Sequence, residues 1–157
     1  MRIHCKPKGL IVQPPSILPL EPQEYCILGD PLPLRRARIT SITPKQSLQL
    51  QSRRRMFDSQ IKEKYAIGLQ LRNQHGILPF FDGPIAISIH FYMPRTNKLK
   101  NQTDYFHAKK PDLDNLIKMV LDCATGILYE DDSTVAQITA RKIYDLNART
   151  VFTISQL

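Results

Sequence analysis

Apolar residues fall into a few short blocks along this chain, each with a readable period. "FDSQIKEKYAIGLQLRNQHG" (57–76) repeats at helical spacing. Ile61, Tyr65, Leu69 and Arg72 share a stripe, Asp58 or Ser59 can cap the start, and Gly76 stops it. "GPIAISIHFYM" alternates instead, with Ile85, Ile87, Ile89 and Phe91 on one side, and predicts a strand. "DLDNLIKMVLDCATG" predicts a second helix with Leu113, Leu116, Ile117, Val120, Leu121 and Ala124 on one face and Gly126 as its stop. "STVAQITARKIYD" predicts a strand with Ala136, Ile138 and Ala140 on one face, and "ARTVFTISQL" predicts a last strand. "DLNAR" (145–149) between these two predicts a hairpin. Near the front, "YCILGDPLPLRRARIT" predicts a short strand, a proline-rich bend and then a basic strand or loop. The order β, α, β, α, β, β argues for a small single α+β domain, a mixed β-sheet carrying two main helices.

Two segments lie outside this pattern. Residues 1–24 hold five prolines and no period, so 1–25 is expected to be an extended leader ahead of a domain at 26–157. "RTNKLKNQTDYFHAKK" (95–110) is a polar, basic loop, long enough to suggest function or mobility.

The chain's 157 residues suffice for one domain with a real core. No apolar run approaches the roughly 18 residues of a membrane span, and prolines interrupt "GLIV" and "SILPL" before a signal-peptide core forms. Cys5, Cys26 and Cys123 are odd in number, far apart and without a C-x-x-C pair, as expected of reduced thiols in a cytoplasmic protein.

Charge sharpens the picture. The formal net charge of +8 favours a polyanionic partner, nucleic acid ahead of an anionic membrane. From Pro31 to Phe57 there is no acid, while Arg35, Arg36, Arg38, Lys45, Arg53, Arg54 and Arg55 are present. From Arg95 to Lys110 one acid, Asp104, stands among Arg95, Lys98, Lys100, Lys109 and Lys110. Asp112 to Asp132 then gathers six acids and a single base, Lys118.

Pro111 pushes Lys110 away from helical backbone and is tolerated at a helix start. Asp112 therefore falls near the N-cap and Asp114 in the first turn. At a partly extended cap both carboxylates can turn to one side. One reading is plain capping, worth about 0.5–2 kcal/mol. The other adds "YEDD" (129–132): the strand that follows can return Asp132 towards the helix start, where three hard oxygen donors suit Mg²⁺ or Mn²⁺. Lys118, four residues after Asp114, either pairs with it or stabilises charge on a phosphate. A calcium loop is excluded by Leu116 and Ile117, which stand where its donors belong. "FHAKKP" is no hydrophobic strand for a phosphatase-like aspartate. No phosphate-binding loop of the G-x-x-x-x-G-K-[ST] type occurs, so no nucleotide cofactor is expected. His4, His75, His90 and His107 form no spaced metal set.

"KKPDLDNLIKMVLD" followed by "LYEDDSTV" resembles the RusA family of Holliday junction resolvases, and "GDPLPLRRAR" and "FDGPIAISIHFYMPR" support the resemblance. It covers roughly residues 26–145; the leader has no counterpart in it. The resemblance implies a homodimeric, metal-dependent endonuclease that nicks four-way DNA junctions symmetrically in recombination and repair. By position its essential acids match Asp112, Asp114 and Asp132, the second acid of the D-D pair, and its essential lysine matches Lys118. Arg35, Arg36, Arg38, Lys109 and Lys110 are expected to hold DNA phosphates. The rival expectation is a non-catalytic basic DNA-binding protein whose acids are structural. An RNA-directed nuclease would share the chemistry.

Overall fold

The computed structural model describes residues 21–35, 38–41, 54–57, 59–95 and 105–157, with backbone only at 38–41 and 54–57. The expected leader up to residue 20, Arg36, Asp58, Lys98, Lys100 and the Arg38 side chain lie outside the described residues. The fold is α+β. A four-stranded mixed sheet runs in the order β1 (Gln23–Leu28), β6 (Arg149–Gln156), β4 (Ile85–Pro94), β5 (Val135–Asp145). Only β4 and β5 are parallel. β2 (Arg38–Ser41) and β3 (Arg54–Phe57) pair separately as an antiparallel ribbon. Helices α1 (Ile61–His75) and α2 (Leu113–Ala124) pack on one face of the sheet. Gln23, Glu24 and Tyr25 belong to β1, so the described sheet reaches into the segment expected as leader.

The core lies between sheet and helices. Ile85, Ile87, Ile89, Phe91 and Met93 line the inner face of β4, beside Phe152 and Ile154 of β6 and Tyr25 and Ile27 of β1. α2 answers with Leu116, Met119, Val120, Cys123 and Ala124. Leu113, Ile117 and Leu121 flank that stripe, half-buried. The expected face is therefore present, but centred one step round the helix on Met119 and Cys123.

Four expectations about the elements are corrected. The inward stripe of α1 is Ile67, Leu71 and His75; Ile61, Tyr65 and Leu69 are 61%, 68% and 43% exposed. Helical period alone offered both stripes, and β1 selects between them. Leu28 N–H donates to Gln70 Oε1 at 2.8 Å. Gln74 takes the Cys26 N–H and returns an N–H to the Cys26 carbonyl, both at 2.8 Å. The two glutamines thus satisfy the open edge of β1 and fix which side of α1 faces in. Gln60 precedes the helix as its N-cap residue, in place of Asp58 or Ser59, and its side chain makes no capping hydrogen bond to the helix start.

On β5, Ala136 and Ile138 are exposed. Ile85 pairs with Val135 but Ala86 with Gln137, so Ala136 is the extra residue of a bulge and Val135 takes its place against the core. Residues 145–149 form no hairpin, because β4 lies between β5 and β6. The link instead steps over the end of β4. Arg95 N–H donates to the Asp145 carbonyl at 3.3 Å, Arg149 pairs with Asp145 at 3.1 Å, and its guanidinium lies 3.7 Å from the Tyr92 ring centroid.

Candidate active site

α1 and α2 run side by side in the same direction. Gln60 at the start of α1 holds the segment that bonds α2 at Asn115, Lys64 meets Asp122 at 3.1 Å, and a Cβ on Gly68 would touch Ile127. Both helices therefore begin at the end of the molecule where β4 and β5 finish. In sheets with parallel strands, ligands gather at such carboxyl ends.

An open basin of about 390 Å³ lies there, lined by Leu34, Arg35, Asp112, Asp114, Asn115 and Lys118. Asp112 is the N-cap of α2 by backbone geometry (φ −71°, ψ 141°), yet its carboxylate makes no capping hydrogen bond. Plain capping therefore does not account for this side chain. Asp114 faces Lys118 across one turn at 3.6 Å, with both side chains more than half exposed. A pair so exposed contributes only about 0–1 kcal/mol, so neither partner is committed to it.

The basin wall is built from afar. Gln60 is 1% exposed. Its Oε1 accepts the Arg35 N–H at 2.6 Å and its Nε2 donates to the Pro33 carbonyl at 3.0 Å. Leu34 N–H donates to the Asn115 carbonyl at 2.8 Å. These bonds set Arg35 beside the two acids. Lys109 and Lys110 are exposed in the turn before the cis Lys110–Pro111 bond. His107 sits half-buried with its ring 4.8 Å from that of Tyr144. Burial, then the charge of Lys142, hold its pKa below the usual histidine value.

Asp132 lies elsewhere. Leu128 and Tyr129 fold back on the far end of α2, where Leu128 N–H donates to the Ala124 carbonyl and the Tyr129 hydroxyl to the Leu121 carbonyl. Asp132 follows them in a 3₁₀ turn, Asp132–Thr134, just before β5. Twelve residues of α2 separate it from Asp112, about 18 Å at 1.5 Å per residue. The expectation that one chain returns Asp132 to the helix start is corrected: β5 has to begin level with the start of β4, and that is the opposite end of the sheet. Among the described residues no three His, Cys, Asp or Glu side chains come close enough to hold a metal ion. Asp131 is spent locally. Its carboxylate accepts the Ser133 N–H at 2.8 Å, and hydrogen bonding from the Ser133 side chain, then from that N–H, lowers its pKa. Asp132 carries no such cap.

Sequence reasoning missed Gln60, Asn115 and Lys142 as builders of this site. Asn115 sits within the D-L-D-N run and was within reach; Gln60 and Lys142 carry no local signal.

The description Endodeoxyribonuclease RusA is that of the family matching residues 29–155. The match takes in the sheet from just after β1 to β6, both helices and every residue of the basin. The chain belongs to the endodeoxyribonuclease RusA family. It is also 27% identical over 86 residues to the uncharacterized protein YqaN of Bacillus subtilis (strain 168), a match covering 49% of this chain and 61% of that protein's length.

Proposed function

We propose that this protein is a metal-dependent, structure-selective endodeoxyribonuclease that resolves four-way DNA junctions by paired nicks, acting as a homodimer. The observation that carries the reading is the uncapped Asp112 carboxylate beside Asp114, in an open basin that also holds Arg35 and Lys118. An uncapped carboxylate and a second held only by an exposed lysine fit a hard divalent cation, Mg²⁺ with Mn²⁺ as a substitute, whose remaining ligands would be water and phosphate. When bound, such an ion polarises a phosphodiester and makes water acidic enough to attack it near neutral pH. Lys118 can swing from Asp114 to the negative charge that develops at phosphorus. Arg35 and the exposed Lys109 and Lys110 draw DNA to an acidic centre that would otherwise repel it.

Asp132 enters through the second copy. α1 exposes Ile61, Tyr65 and Leu69 on one stripe, an apolar face suited to a twofold partner. Two copies packed along antiparallel α1 helices set the start of each α2 level with the end of the partner's α2. Asp112 and Asp114 of one copy then lie level with the other copy's third acid. A four-way junction has two strands of like polarity to cut, and a twofold dimer offers two such sites.

The test is incubation of the chain with end-labelled four-way junction, duplex, single-stranded DNA and a structured RNA, with Mg²⁺ and with chelator. Paired nicks confined to the junction and lost with chelator are expected. Binding without cleavage under every condition would leave a non-catalytic basic DNA-binding protein. Cleavage of RNA alone would reassign the substrate.

A further inference from the structure

We propose that Lys142 is a positioning residue for Asp112, holding the turn that presents this carboxylate rather than touching DNA; this rests on the reading of Asp112 as catalytic. Lys142 lies on β5 and pairs with Phe91, a core residue, so its side chain leaves the helix-bearing face of the sheet. The ammonium ends on main-chain oxygens instead of a carboxylate. It donates to the Lys109 carbonyl at 2.8 Å and to the Pro111 carbonyl at 2.6 Å, partners 33 and 31 residues away in sequence. The second of these oxygens belongs to the peptide bond that precedes Asp112, and the first lies two peptide bonds earlier.

The backbone of the same residue holds the segment one step earlier. The Lys142 carbonyl accepts the His107 N–H at 3.0 Å, and next to it Tyr144 N–H donates to the Tyr105 carbonyl at 2.9 Å. Residues 105–111 are thus tied to the outer edge of β5 by these four hydrogen bonds, three of them on Lys142. The chain must stop following β5 at this point and turn into α2. Asp112 has no capping hydrogen bond of its own to fix its direction. Its orientation depends on the two carbonyls behind it, and Lys142 fixes both. Methionine, of similar length, has no donor for either oxygen, whereas a guanidinium can donate to both.

The experiment compares wild type, Lys142→Met and Lys142→Arg. Measurements are kcat and KM on the four-way junction, junction affinity against salt in chelator, and hydrogen exchange of the Leu116 amide, which donates to the Asp112 carbonyl. Lys142→Met is expected to lower kcat at least tenfold with KM and the salt slope little changed, and to speed exchange at Leu116 while the β4–β6 ladder stays protected. Lys142→Arg is expected to restore most of kcat and of the protection. A weaker junction affinity with a flatter salt slope and unchanged kcat would make Lys142 a phosphate ligand and overturn the proposal. Uniformly faster exchange, with arginine no better than methionine, would reduce it to general stability and overturn it equally. If wild type cleaves nothing, the nuclease reading fails while the Leu116 exchange still decides whether Lys142 holds the turn.

Discussion

Asp112 and Asp114 share one short turn but differ in what their carboxylates meet. Asp114 has Lys118 at 3.6 Å, while Asp112 has no capping bond. Asp112→Asn and Asp114→Asn each remove one negative charge from the proposed metal site and almost no volume. Both variants should lose at least a hundredfold in junction cleavage and bind junction as well as wild type or slightly better, since a negative charge near phosphate is gone. Gel-shift and single-turnover cleavage assays check this. Asp132→Asn should be as inactive. Asp131→Asn should keep most activity with a slightly lower Tm, because its carboxylate serves Ser133; an inactive Asp131→Asn beside an active Asp132→Asn would reverse the choice of acid. For the exposed Arg35, Lys109 and Lys110, alanine should weaken binding. The slope of log affinity against log salt should flatten by about one unit for every DNA phosphate that the variant no longer neutralises. A salt titration by fluorescence anisotropy reads it.

At the scale of elements, the site depends on side chains that no single element contains. Gln60 ties the bend after β1 to the start of α1 through two hydrogen bonds while almost wholly buried. Gln60→Ala should leave the Arg35 N–H unpaired and cost about 1–3 kcal/mol in urea unfolding. It should also weaken cleavage, because Arg35 and Leu34 leave the basin wall. At the other end of α1, His75 is buried and shares a 2.8 Å hydrogen bond with the Tyr25 hydroxyl. Burial pushes the Tyr25 phenol up to about 12 and lowers the His75 pKa. A histidine whose folded pKa lies below its unfolded value near 6.5 stabilises the neutral fold fully above that value. The contribution fades as pH falls through 6.5 towards the folded pKa. Tm should therefore decline on acidification below about pH 6.5, and His75→Gln should shrink that slope at the expense of some stability at pH 8. Thermal melts from pH 8 to 5 measure both.

At the scale of the whole molecule, one copy presents two acids at one end of α2 and the third at the other. Mixing subunits tests whether a second copy unites them. Asp112→Asn and Asp132→Asn chains are each expected to be inactive alone. Co-refolded, the mixed dimer has one site with both changes and one with neither, so nicking of a single strand should return. No recovery, with mixed dimers present by mass, would place each site within one chain. Sedimentation at micromolar protein should show the dimer, and Tyr65→Lys together with Leu69→Lys on the exposed α1 stripe should yield monomers that no longer cleave.

Much of this molecule is local in origin and legible in its sequence. The alternation of β4 and the amphipathic run of α2 need only a chain's own period, since burial repeats every two or 3.6 residues. Pro111 and the D-L-D-N run set the start of α2, and so the nearness of Asp112, Asp114 and Lys118, before any tertiary contact forms. Partner choice is different, because it depends on segments distant in sequence. Ile61, Tyr65 and Leu69 have the right spacing for a core stripe, but β1's edge, bonded by Gln70 and Gln74 of the helix, turns Ile67 and Leu71 inward instead. Residues 145–149 look like a hairpin, but β4 pairs with both β5 and β6 and takes the place between them. That same pairing starts β5 beside Ile85 and so carries Asp132 to the far end of the sheet. Side chains such as Gln60 and Lys142 act on main-chain groups far away in sequence, and only the folded chain brings those groups within hydrogen-bond reach.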